Sequence, residues 1–300
     1  MGWKKGHAVQ LLPFSQATGH VLEVYRDVQQ VFGVPHVSSF FQYLGTQPRF
    51  LDRYWTVMRP IVGTEAFFSC AQSLRADAYA RVRAHFEIPD LKTEVSRQQF
   101  SSGACEELRD CINFFCHSVP MSLLLSATLS QAFAGTAGGE SVPLIPATAH
   151  KHQRRIVMVE EDSASPAVKA IFADIRETTG ADVVHTVYRA FARWPDFLKS
   201  YWDAIKPLTV SELFHSSESA LRDDAIQQTK GVPGPIQFSA ADLAALGMNE
   251  GEAGSLVGVI DMFVHSLSAA LMNVSIARIA IEGGNLHGAD AQPEAVVPLT

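Results

Sequence analysis

In this 300-residue chain, Asp261 and His265 are spaced so that a carboxylate and an imidazole could share a proton. The two residues lie four apart, so on a helix the carboxylate can orient the imidazole, as in a general base or a metal ligand. Asn113 and His117 repeat the spacing. This recurrence favours a shared packing role on a buried helix. No HxH, HExxH or third close ligand accompanies either pair, so we expect no metal and no cofactor.

The run HTVYR, residues 185–189, contains a second candidate base. An imidazole titrates near neutral pH, so His185 can relay a proton, and we rank it with His265 and Asp261 as a weak base candidate. The alternative is structural, because a polar residue at this place can begin a helix. No phosphate-binding glycine loop and no G-x-S-x-G nucleophile motif is present.

The four cysteines show neither a CxxC pair nor zinc-ribbon spacing; they are Cys70, Cys105, Cys111 and Cys116. A chain of this length can bury a core without disulfides, so the sequence predicts reduced thiols and a cytoplasmic location.

Composition excludes several classes of partner. The chain has 24 Lys and Arg against 31 Asp and Glu, a net charge of −7, and no basic run, which argues against nucleic acid. With 47% hydrophobic and 18% charged residues it should be globular. Between Asp110 and Glu140 no charged residue occurs, but serines, Thr128 and Gln131 interrupt the stretch. We therefore predict a helix buried in protein and no membrane partner.

The chain repeats itself at a shift of 147 residues. Residues 33–78 align without a gap on residues 180–225 with fifteen identities, among them Tyr54/Tyr201 and Trp55/Trp202. After one inserted residue the shift becomes 148 and pairs His117 with His265. We predict a first repeat over residues 8–133, a linker over 134–154, a second repeat over 155–284 and a C-terminal tail over 285–300.

Each repeat is predicted to be helical. In PRFLDRYWTVMRP the apolar residues recur at helical spacing behind Pro48, and PDFLKSYWDAIKP repeats the pattern. Only residues 156–159 resemble a strand. The fold class is therefore all-α, with two tandem homologous helical bundles packed as a pseudo-dimer about an approximate two-fold axis. A pocket at their junction would have walls from both repeats.

Residues 179–207 resemble the DL-2-haloacid dehalogenase family, also called the halocarboxylic acid dehydrogenase DehI family. The matching residues are Tyr188, Arg189, Pro195, Phe197, Leu198, Trp202 and Pro207. The resemblance covers almost the whole chain and implies an all-α fold of two repeated halves with a pocket between them. It also implies a reaction in which one aspartate activates a water that displaces halide from C2 of a 2-haloalkanoate, without a covalent enzyme ester.

The position implied for that aspartate, directly before the Tyr-Arg pair, is Val187. An isopropyl group accepts no proton, so the base is missing there. Two further polar positions differ. Cys116 and Val119 stand where the resemblance implies asparagines, and Phe68 follows Thr64 by four residues where it implies a glutamate.

We therefore expect a dehalogenase-like protein with a pocket for a small 2-substituted carboxylic acid, impaired in or diverged from hydrolytic dehalogenation. If it is active, it is a hydrolase of carbon–halide bonds. The alternative is a non-catalytic binding protein, or an enzyme of different chemistry on the same scaffold. We expect Val187 to face the pocket opposite Phe40. The sequence does not fix the oligomeric state, and a homodimer is one of the alternatives. The candidate pocket residues are His36, Ser39, Phe40, Thr64, Phe68, Cys116, Val119, His185, Thr186, Val187 and Tyr188.

Overall fold

The computed structural model describes residues 9–92, 101–147, 156–181 and 184–284. Within these ranges the fold is all-α, with no strand and two isolated β-bridges, Thr64 to Pro146 and Ala137 to Ile236. The helices are α1 Gly19–Phe32, α2 Ser39–Leu44, α3 Pro48–Val62, α4 Glu65–His85, α5 Ser102–Phe133, α6 Pro166–Thr179, α7 Thr186–Phe191, α8 Pro195–Thr209, α9 Glu212–Gln228, α10 Ala240–Ala245 and α11 Glu250–Glu282, with a 3-10 turn at Thr229–Gly231.

The predicted linker is only partly described. Residues 134–147 follow α5, whereas residues 148–154 of the linker, the first residue of each predicted repeat and the tail from residue 285 lie outside the described residues. The strand expectation for residues 156–159 is wrong. This segment forms no strand, although the Val159 N–H donates to the carbonyl of Arg189 at 3.0 Å.

Two long helices, α5 and α11, form the centre of the core. Ser130 donates to Asp261 at 2.7 Å, the Cys116 thiol lies 3.9 Å from the carbonyl of Val274, and Arg278 binds Asn113. As the residue number rises along α5 it falls along α11, so the helices pack antiparallel. Both are long and apolar enough to cross a membrane by length and composition alone; 83% of the apolar window of α5 and 50% of that of α11 are buried inside the structure. The burial of α5 is typical of a core helix.

Equivalent hydrogen bonds occur on either side of the linker. Asp27 accepts from the Trp55 indole at 2.8 Å and from Arg59, and Asp174, 147 residues later, accepts from the Trp202 indole at 2.7 Å and from Lys206. These bonds join α1 to α3 and α6 to α8. The helix lengths also agree, with 14 residues in α1 and α6 and 15 in α3 and α8. The two-fold arrangement stays a prediction, and these paired contacts support it.

Candidate functional site

A cavity of about 620 Å³ receives wall residues from before and after the linker, and we call it the central cavity. The first half contributes residues of α1, α2 and α5 together with the segment 34–38, and the second half contributes residues of α6 to α9 and α11. Much of the wall is aromatic, with Phe32, Phe40, Phe41, Phe114, Phe115 and Phe263. An apolar cavity of this size with a few polar side chains is typical of a small-molecule site.

Seven of the eleven candidate pocket residues line the central cavity; they are His36, Ser39, Phe40, Val119, His185, Thr186 and Tyr188. The base candidate His265 also lines it. The structure places the other four candidates, Thr64, Phe68, Cys116 and Val187, outside its wall.

Val187 requires the largest correction. Its neighbours Thr186 and Tyr188 line the central cavity, but Val187 is 1% exposed and belongs to the hydrophobic core. Phe40, its counterpart at the 147-residue shift, does line the cavity. An isopropyl group gains free energy by leaving water, so burial in the core rather than at a partly hydrated wall is its favoured place.

The other three residues outside the wall have structural roles. Thr64 caps α4 by accepting from the Phe67 N–H at 3.3 Å. Phe68 stacks on His117, with ring centroids 6.1 Å apart. Cys116 is buried between α5 and α11, and burial raises the pKa of its thiol to about 12, so it stays protonated.

His185 is a poor base in this structure. Its Nδ1 caps α7 by accepting the Val187 N–H at 3.3 Å, so that nitrogen carries no proton and its lone pair is engaged. Burial, and secondarily the charge of Arg189, lower the pKa of His185 to about 4. The imidazole is therefore neutral at pH 7, and its other nitrogen can only donate.

The wall of the central cavity includes one cationic side chain among the described residues. Arg189 is the only Lys or Arg among the described wall residues, and its Nε donates to the carbonyl of Val159 at 3.3 Å while Nη2 binds Glu160. Burial and the nearby charge of Arg189 also lower the pKa of His36 to about 4. His36 Nε2 and Ser38 Oγ are buried in this wall without a hydrogen-bond partner. Unpaired buried polar atoms are rare in native proteins and mark a place for a ligand or water.

A second group of polar side chains lies on α9 and α11 and consists of Glu218, Arg222 and His265. Of these, the sequence analysis had selected only His265. Glu218 is 4% exposed, lines the central cavity, and places Oε1 3.2 Å from His265 Nδ1. The guanidinium of Arg222 lies 2.8 Å from the same nitrogen. Because a guanidinium can only donate, Nδ1 must be the acceptor and holds no proton for Glu218. Glu218 Oε1 accordingly has no hydrogen-bond partner.

These surroundings disfavour the ionised form of Glu218. Burial raises the pKa of its carboxyl to about 7, and the charge of Arg222, 3.9 Å away, opposes that shift only in part. Burial and the charge of Arg222 also lower the pKa of His265, which keeps the ring neutral.

The expected pairing of Asp261 with His265 is corrected. Asp261 is exposed and accepts a hydrogen bond from Ser130 at 2.7 Å, and the carboxylate beside the imidazole is that of Glu218. One sequence signal could have identified Glu218: at the 147-residue shift its counterpart is Ala71, so only the second half carries an acid at this position. Within the described ranges no group of three or more His, Cys, Asp or Glu side chains could hold a metal ion.

The fold belongs to a known class. The chain is similar to a solved complex of a D-2-haloacid dehalogenase mutant with D-2-CPA, with a TM-score of 0.86 and 22% identity over 91% of this chain and 96% of that one. A structure of D-2-haloacid dehalogenase with L-LA matches with the same TM-score of 0.86.

The sequence comparisons identify the family. The chain belongs to the family described as halocarboxylic acid dehydrogenase DehI, which matches residues 35–186. It is 28% identical to an (R)-2-haloacid dehalogenase of Rhizobium sp. (strain NHG3) over 77% of this chain and 90% of that protein. It is 23% identical to a second (R)-2-haloacid dehalogenase, of Pseudomonas putida, over 89% of this chain and 91% of that protein.

Proposed function

We propose that the central cavity binds a 2-substituted carboxylic acid, and that dehalogenation by the family's route is impaired because no base stands at residue 187. The observation that carries the binding proposal is Arg189, the only Lys or Arg in the described wall, which shares that wall with the unpaired His36 Nε2 and Ser38 Oγ. A guanidinium binds a carboxylate in a charge-assisted, often bidentate geometry. The relatives named as 2-haloacid dehalogenases support the same ligand class.

Arg189→Met tests this directly. The substitution keeps a long apolar stem and removes the charge, so we expect binding of 2-hydroxyhexanoate, measured by calorimetry, to weaken about 10- to 100-fold, the cost of one or two hydrogen bonds to a charged group. Arg193→Met is the matched control, because Arg193 pairs with Glu107 outside the central cavity. Equal affinity in Arg189→Met and the wild type would contradict the proposal.

The aromatic wall predicts a dependence on chain length. We expect affinity to rise from 2-hydroxybutyrate to 2-hydroxyhexanoate to 2-hydroxyoctanoate, by roughly fourfold for each added methylene, because burying one CH₂ contributes about 0.8 kcal/mol. The central cavity, at about 620 Å³, has room for the longer acids. Calorimetric titrations at one pH measure the trend, and an affinity independent of chain length would place the alkyl group in water rather than against the wall.

The non-catalytic alternative rests on Val187. If the protein only binds its ligand, D- and L-2-chloropropionate will bind without release of halide, whereas an enzyme will produce chloride and the 2-hydroxy acid. Chloride release therefore separates the two functions.

We also propose that residues 8–133 and 155–284 form two homologous bundles related by an approximate two-fold axis. Asp27→Ala and Asp174→Ala should then lower the free energy of unfolding by similar amounts, about 1–2 kcal/mol each, because each removes the same bonds to a tryptophan and a cation. Urea unfolding measures both. Asp203→Ala, which removes only an exposed pair with Lys199, should cost less than about 0.5 kcal/mol. If the losses in the free energy of unfolding of Asp27→Ala and Asp174→Ala differ by more than twofold, the two residues do not occupy equivalent positions.

A further inference from the structure

The helix α9 carries an acid where its own pattern calls for an apolar residue. Phe214, Leu221 and Ala225, with the small Ser217, form the buried face of this helix, and Glu218 occupies the same face one turn after Phe214. In the first half the corresponding residue is Ala71, which is buried in the core. A buried carboxyl without a hydrogen bond to Oε1 costs stability, so its presence at a cavity wall points to a functional role.

Glu218 is also the only Asp or Glu among the described wall residues. Its carboxylate lies 3.9 Å from the guanidinium of Arg222 on its own helix and 3.2 Å from the imidazole of His265 on α11, and His215, three residues earlier on α9, also lines the cavity. On α4, which packs against α9, Arg81 is bound to Asp224, further along α9 than Glu218. The Arg222 guanidinium occupies Nδ1 of His265, so the ring stays neutral and gives no proton to the carboxyl through that nitrogen.

We propose that Glu218 is the catalytic base of this protein, in the role that Val187 cannot fill. It would accept a proton from a water molecule attacking C2 of a 2-haloalkanoate in the central cavity, with Arg222 and His265 as positioning residues. This inference rests on the proposed function, because the substrate must first bind with its carboxylate at Arg189.

The reaction is a direct displacement. The water oxygen forms a bond to C2 while the carbon–halogen bond breaks, and halide leaves with the bonding electron pair. The water proton passes to the ionised carboxylate of Glu218, which later releases it to solvent. The products are halide, a proton and the 2-hydroxy acid with inverted configuration at C2, so no oxidant, reductant or further reactant is required.

The base must be ionised to act, so activity and pH are linked. Because burial places the pKa of Glu218 at about 7, halide release should rise with pH through this value. A base with a pKa near the working pH combines a large ionised fraction with useful basicity.

The test compares wild type, Glu218→Gln and Glu218→Asp with D- and L-2-chloropropionate, following chloride and the 2-hydroxy acid from pH 5.5 to 9. We expect wild-type turnover to increase with pH through about 7, and Glu218→Gln to lower kcat by about 10²- to 10⁴-fold and to abolish this dependence. Glu218→Asp keeps a base but shortens its reach, so it should retain part of the activity. Glu212→Gln, the same change at an exposed residue of α9, is the matched control and should leave the rate unchanged.

Calorimetry with 2-hydroxyhexanoate separates this inference from the proposed function. Glu218→Gln should bind the acid at least as tightly as the wild type, because the substitution removes a negative charge from the wall. Wild-type protein that binds the acid but releases no chloride, or Glu218→Gln that releases chloride at the wild-type rate and pH dependence, would overturn the role of Glu218 and leave the binding site standing. Wild-type protein that binds no carboxylic acid would overturn both proposals.

Discussion

Val187→Asp is expected to lower the free energy of unfolding by about 3–5 kcal/mol at pH 7 and to leave halide release no higher than in the wild type. The side chain is 1% exposed and lies in the core rather than in the cavity wall, so an introduced carboxylate would be buried without a partner. Burial would also raise the pKa of the new carboxyl. The loss should therefore shrink as the pH falls and the carboxyl becomes protonated.

Urea unfolding at pH 5 and pH 8, with chloride release from 2-chloropropionate, measures both effects. Val187→Thr is the matched control, because it keeps the branched shape, adds only a hydroxyl and should cost about 1–3 kcal/mol. A Val187→Asp protein with wild-type stability and faster chloride release would show that residue 187 reaches the cavity and that only the base was missing there.

Glu218→Gln is expected to stabilise the fold at alkaline pH by about 2–4 kcal/mol and to have little effect at or below pH 4.5. The folded-state pKa of about 7 lies above the ordinary value of 4.5, so the folded protein binds more protons than the unfolded chain between these values. Stability must then fall as the pH rises from about 4.5 to 7, and the full penalty is present above 7. Each unit of pKa difference corresponds to about 1.4 kcal/mol.

Glutamine has the shape of the protonated acid and cannot ionise, so it removes this penalty. Unfolding in urea at pH 4.5, 7 and 9 gives the difference in free energy between variant and wild type at each pH. Glu212→Gln should show no comparable trend, since Glu212 is exposed. A difference that stays constant from pH 4.5 to 9 would mean that Glu218 titrates normally and is more hydrated than its position indicates.

The helical architecture was predictable because its signals are local. Trp55 and Trp202 recur with their neighbours at helical spacing. In the structure each lies in a helix of 15 residues, and its indole N–H donates to an aspartate 28 residues earlier. Helices follow from such periodicity, since burying one apolar stripe is possible only when its residues share a face. The strand expected at residues 156–159 is not formed, because a short apolar segment becomes a strand only where a second strand pairs with it.

The candidate site was predictable in part. His185 was chosen because it lies next to the Tyr-Arg pair and His36 was among the candidate pocket residues of the first half, and both line the central cavity. Glu218 was missed because its nearest local context, Ser217 and Ser219, resembles an exposed helix surface. Its partner His265 is 47 residues later in the chain and becomes a neighbour only when α9 packs against α11.

The sequence by itself determined the all-α class, the fifteen identities at a shift of 147 residues and the absence of a proton acceptor at residue 187. Only the tertiary structure decided which side chains face the central cavity and in which protonation states. Val187 is buried beside two residues that line the wall, and Glu218 reaches that wall from the buried face of α9, where no other charged residue lies. Helix formation depends on residues three and four apart, which the sequence displays directly. Solvent exposure, pKa and orphaned hydrogen-bonding atoms depend on how distant helices pack and exclude water, and no local pattern encodes that arrangement.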